Sequence, residues 1–214
     1  IRDFCLSRGL GDVYKRQPFR GGDYNWEEPE GARDGVIDDN DRMVIGNAMP
    51  DVTGGLNTTV TWKNLSLYLG FYYSLGGQIY NAAEHNRNMF KYTGTTPSPE
   101  VIHNMWLHPG DQAIYPRPYN DDYNNARMGN SFYLEDASFI RLKTLTLNYL
   151  FPKKICNRLG INTLSCFVTG YNLFTWTNYT GQDPEVEIPT KPTDLAEDKA
   201  TTPVSMRFAF GINL

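Results

Sequence analysis

The sequence predicts an all-β chain, with about five antiparallel strands of the kind that build an outer-membrane transmembrane β-barrel. Three observations lead there. Apolar side chains alternate with polar or small ones over runs long enough to span a bilayer. The connections between these runs alternate between short and long, as periplasmic turns and extracellular loops do in such barrels. Aromatic residues make up 14% of the chain, and many stand near the ends of the runs. A β-sandwich accounts for the alternation equally well, but not for the asymmetry of the connections.

The closing run shows the alternation best. Val204, Met206, Phe208, Phe210, Ile212 and Leu214 share one face, while Ser205, Arg207, Ala209, Gly211 and Asn213 share the other. A spanning strand needs about 9–11 residues. An arginine facing lipid at the bilayer midplane costs about 2–4 kcal/mol, so Arg207 is expected to face inward. Leu65, Leu67, Leu69, Phe71 and Tyr73 form a second apolar series, opposite Ser66, Tyr68, Gly70, Tyr72 and Ser74. Leu56, Thr58, Val60 and Trp62 alternate just before it, and Lys63-Asn64 reads as a tight turn. Further runs cover roughly 138–151 and 164–176.

Short connections then fall at 63–64 and 152–162, and long ones at 18–52, 76–137 and 176–203. Structureless loops this long are uncommon in compact domains. Trp62, Tyr72, Tyr73, Phe151, Phe174, Trp176 and Tyr179 are candidates for interfacial girdles. Tyr68, Tyr72 and Arg207 are candidates for substrate-facing residues in the lumen.

Composition narrows the function. A net charge of -4 supplies no basic footprint, which argues against a nucleic-acid partner. Three cysteines, Cys5, Cys156 and Cys166, cannot all pair and show no zinc spacing. His85, His103 and His108 stand 18 and 5 residues apart, which matches no helix-face ligand pair, and solvated loop positions are expected for them. The carboxylate pairs Asp121-Asp122 and Asp183/Glu185 read as solvated loop residues. No nucleophile–base or phosphate-cradling motif is present, so no enzyme is expected.

Residues 34–42, DGVIDDNDR, partly match an EF-hand loop. With Gly35 at the sharp-turn position, Asp34, Asp38 and Asp41 become candidate ligands for a structural calcium ion. Ala32, however, occupies a ligand position. No other cofactor is indicated.

Five stretches, in order, resemble the C-terminal part of SusC/RagA-type TonB-dependent transporters of Bacteroidetes outer membranes. They are DGVIDDNDRMVIGNAMP (34–50), WKNLSLYLGFYYSLGGQIYN (62–81), LEDASFIRLKTLTLNYLFP (134–152), VTGYNLFTWTNYTGQDPEV (168–186) and RFAFGINL (207–214). The resemblance implies a 22-stranded barrel with an N-terminal plug, importing oligosaccharides or peptides. It further implies a SusD-like surface lipoprotein as partner, TonB acting through a plug outside this chain, and the barrel-assembly machinery reading the closing strand. Family members usually end on an aromatic residue, whereas Leu214 stands last here. Cys5 to Gln17, CLSRGLGDVYKRQ, is similar to translated sequencing-adapter sequence. Residues 1–17 are therefore expected to be non-native, with 18–214 forming the barrel part. The rival expectation is a secreted carbohydrate-binding β-sandwich with a calcium-stabilised loop.

Overall fold

The computed structural model describes residues 22–24, 41, 43–88, 96–118, 130–185, 196–200 and 202–214. The expected non-native stretch 1–17, and Asp34 and Asp38, lie outside the described residues. The elements in chain order are β1 (Val52–Trp62), β2 (Leu65–Leu75), β3 (Gln78–Tyr80), α1 (Ala82–Asn88), α2 (Pro99–Asn104), β4 (Leu134–Asp136), β5 (Phe139–Leu150), α3 (Lys153–Leu159), β6 (Ser165–Thr177) and β7 (Arg207–Asn213). They divide between two compact units.

The first unit comprises Met49–Gly77, Asp136–Glu185 and Thr202–Leu214, and holds a five-stranded sheet in the order β1-β2-β5-β6-β7. Every neighbouring pair is antiparallel. Because pairing preserves side-chain phase, the register lines up one apolar row across all five strands: Val60, Leu67, Leu147, Val168 and Phe210. The adjacent row, on the opposite face, is Thr59, Tyr68, Thr146, Thr169 and Ala209. The apolar row lies open: Val60 is 57% exposed and Phe210 75%. Soluble monomers seldom leave so wide an apolar surface uncovered. A sandwich would bury this face beneath a second sheet, so the sandwich expectation is not met.

Two connections are set by residues at turns and helix ends. Lys63, at a positive φ of 53°, makes the tight β1–β2 turn expected at 63–64. The 152–162 connection, expected as a loop, contains α3. Pro152 sits at its N-cap, and Gly160, at φ 69°, closes it through an N–H donated to the Asn157 carbonyl. Proline at the start and a left-handed glycine at the end are the usual helix punctuation. The closing strand is also shorter than expected. It runs over Arg207–Asn213 rather than the whole of 204–214, with Val204 spending its N–H on a side chain instead of a ladder.

The second unit contains the described residues of Ile1–Ala48, Gln78–Glu135 and Val186–Thr201. Here the expectation of one long loop over 76–137 gives way to β3, α1, α2, β4 and a 3₁₀ turn at Ser131–Tyr133. The segment 196–198 zips onto β3: Tyr80 N–H donates to Ala196 O at 2.8 Å and Asp198 N–H to Tyr80 O at 2.9 Å. Asn81 caps α1 by accepting from Glu84 N–H at 2.9 Å, and its amide donates to Glu135 at 2.8 Å. Ile79, Tyr80, Ala82, His85, Val101 and Tyr133 are buried there.

Candidate functional site

The polar face of the five-stranded sheet gathers the charged and aromatic groups. Tyr68, Tyr72 and Arg207 all stand on it, as the alternation predicts. Tyr72 pairs with Gly55 and Arg141, and Arg207 pairs with Tyr171, over whose ring its guanidinium lies at 5.8 Å. The opposite face holds Trp62, Tyr73, Phe174 and Trp176, four of the seven expected girdle aromatics. Tyr72 instead belongs to the polar face, and Tyr179 is buried beside Gly181, which corrects both as girdle candidates.

A bulge builds the densest cluster. Against β2 the pairing of β5 slips between Gly70 and Phe71, leaving Lys143 as an extra residue between Leu142 and Thr144, and against β6 that residue faces Asn172 and Leu173; bulges re-aim side chains in this way. Lys143 places its ammonium 4.3 Å from the centre of the Tyr72 ring and 3.1 Å from Glu185. Arg141, two residues before it, is almost wholly buried, with 1% of its side chain exposed. Its three nitrogens each find an acceptor: Nε donates to Thr175 Oγ1 at 2.9 Å, Nη1 to Glu185 Oε2 at 2.6 Å and Nη2 to Asp183 Oδ1 at 2.5 Å. The guanidinium also lies 5.1 Å from the Phe139 ring centre, and Phe139 packs against Tyr72 with ring centres 5.8 Å apart. Two cations and two carboxylates thus balance in one partly dry patch, which a buried arginine requires.

This finding overturns the reading of Asp183/Glu185 as a solvated pair. Sequence spacing gave no hint of Arg141, because 42 and 44 residues separate the partners. One signal was present. The apolar positions of β5 shift from even (Ile140, Leu142) to odd (Leu145, Leu147, Tyr149), which marks a bulge at Lys143.

No family model matches the chain. Over 210 residues it is 32% identical to TonB-dependent receptor P39 of Formosa agariphila, covering 95% of this chain and 20% of that receptor. TonB-dependent receptor P3 of the same organism is 30% identical over 185 residues, with 84% and 18% covered. Among solved structures, the chain superposes on the RagAB peptide transporter with a TM-score of 0.64 at 23% identity, over 83% of this chain and 18% of that one. The RagAB peptide importer in its open-open state gives a TM-score of 0.64 at 25% identity, covering 87% and 20%. The chain belongs to the SusC/RagA-type TonB-dependent receptors. It spans about a fifth of the length of the curated relatives it matches. In this family context the five strands are successive staves of a large antiparallel barrel.

The remaining candidates fall elsewhere in the receptor segment. His103 lies in α2 with Nδ1 at 2.5 Å from the Pro99 carbonyl. The Asp111 carboxylate accepts from the His108 and Leu107 amides, at 2.7 and 3.0 Å, which holds its pKa below the usual carboxylate value. His85 departs from the expectation of solvation. It is fully buried against the Tyr80 and Tyr133 rings, and burial lowers its pKa to about 4, so the ring is neutral. Among the described residues no group of three or more His, Cys, Asp or Glu could hold a metal. Asp41 is buried, while its co-ligand candidates Asp34 and Asp38, and the pair Asp121-Asp122, lie outside the described residues.

Proposed function

We propose that this chain forms part of the wall of an outer-membrane importer for oligosaccharides or peptides. One observation carries the reading. The apolar row Val60-Leu67-Leu147-Val168-Phe210 crosses all five strands, and a polar row backs it on the opposite face. A wall with lipid on one side and a watery lumen on the other needs this arrangement. Tyr68, Tyr72 and Arg207 then line the lumen, offering stacking surfaces and a positive charge to a passing solute. In this reading the full-length protein works beneath a SusD-like surface lipoprotein, takes energy from TonB through a plug outside this chain, and relies on the barrel-assembly machinery for insertion. Peptide import is what the RagAB structures describe for their own protein, and it favours a peptide over a sugar as the first substrate to offer.

Deleting the full-length gene in its native host tests the reading. The expected result is loss of uptake of one class, oligopeptides or oligosaccharides, restored by the intact gene. Unchanged uptake of both classes, or recovery of the intact protein without detergent, would sink it.

A further inference from the structure

The Arg141 cluster does more than neutralise buried charge. Asp183 accepts from Arg141 through Oδ1, and the same oxygen accepts from the Glu185 N–H at 2.9 Å. Its other oxygen, Oδ2, accepts from the Val204 N–H at 3.3 Å. Asp183 and Glu185 lie on the segment leaving β6, and Val204 lies on the segment entering β7. One carboxylate therefore ties together the two ends of a connection, and one buried guanidinium ties that carboxylate to β5. A second tie runs beside it, from the Asn172 side-chain amide to the Ser205 carbonyl at 3.3 Å. Asn172 reaches it from a left-handed backbone conformation, φ 52°, which asparagine tolerates better than most residues.

We infer that Arg141 is a positioning residue: it clasps the base of the β6–β7 connection to the polar face of the wall. Its planar fork suits the task. Three nitrogens serve Thr175, Glu185 and Asp183 at once, whereas a lysine ammonium is a single point charge on a flexible stem. The clasp also holds Glu185 where it meets Lys143 over Tyr72, so the shape of the charged-aromatic patch depends on it.

Hydrogen exchange on the full-length receptor in detergent micelles reads the clasp directly, without any transport step, so its failure is separate from failure of the import reading. In Arg141→Ala, peptides covering 179–185 and 202–206 should exchange about tenfold faster or more, while β5 and β6 stay protected. Arg141→Lys should fall between wild type and Arg141→Ala. Leu145→Ala, which thins the opposite face, should leave both peptides as in wild type. Wild-type exchange in Arg141→Ala would overturn the inference, as would equal acceleration in Leu145→Ala. Should Arg141→Ala fail to assemble, Asp183→Asn carries the test on the same two peptides. Faster exchange there supports the clasp, and unchanged exchange overturns it.

Discussion

In the five-stranded unit, order comes from the backbone: four antiparallel ladders hold residues whose side chains lie largely open on the apolar face. The unit built around β3 and α1 works the other way. Its strands are three residues long, its helices six and seven, and order comes from buried side chains. Tyr80, His85, Tyr133, Phe132 and Tyr24 form a chain of ring contacts with centres 4.9 to 6.3 Å apart. The contrast teaches where each unit is vulnerable. A ladder forgives changes to single side chains but not a change in which face meets lipid. A side-chain core forgives nothing at its centre.

The sharpest way to break this contrast is to place a charge on each face of one strand. Val60→Arg puts a cation in the apolar row, at a cost of about 2–4 kcal/mol if that row meets lipid. Thr59→Arg, one residue before it, is exposed on the polar side. Heat-modifiability of the full-length protein in outer membranes should show lost assembly for the first and retained assembly for the second. Equal assembly of both would mean the two faces do not differ in solvent.

The next effect belongs to the side-chain unit. The pKa of His85 is lowered by burial from 6.5 to about 4. Between those values the unfolded segment binds a proton that the folded one does not, so stability rises with pH across that window. Acidification from pH 6.5 to 4 should therefore weaken local protection of 79–88 by up to about 3 kcal/mol, with no further change from this group below pH 4. His85→Phe keeps a ring between Tyr80 and Tyr133 and removes the titration. Exchange corrected for intrinsic rate should then become flat over the same window. A wild-type profile already flat would refute the burial of His85 as the cause.

The smallest effect tests capping. Asn81→Ala removes the acceptor for the Glu84 N–H and the donor to Glu135, and should cost about 1–2 kcal/mol, read as faster exchange in 82–88. The five-stranded ladders should not respond.

These differences also explain what could be read in the sequence. Strand phase was legible because a one-residue slip moves every side chain to the wrong face, so Val60, Leu67, Val168 and Phe210 write the period openly. The same phase placed Tyr68, Tyr72 and Arg207 together. The α1 core was not legible. Ala82, His85 and Asn88 share its buried side at helical spacing, yet they are small or polar and form no apolar stripe. Helix α3 was marked only by its ends, Pro152 and Gly160, around residues that are mostly exposed. The Arg141 clasp escaped because a guanidinium and its carboxylates need only meet in space, and no local pattern records a meeting across more than forty residues.

Trp62 and Trp176 stand near opposite ends of the apolar face. Trp176 pairs with Ile140, Ile140 with Tyr73 and Tyr73 with Gly54, so eight residues of β1 separate the two tryptophan rows. At about 3.4 Å per residue this is about 27 Å along the strand. A strand tilt near 40° shortens it to about 21 Å across the sheet's height. If the sheet is the proposed barrel wall, the indole rings bracket an apolar band of about this height, which matches the thin dimension of an outer membrane rather than that of a thicker, sterol-rich bilayer.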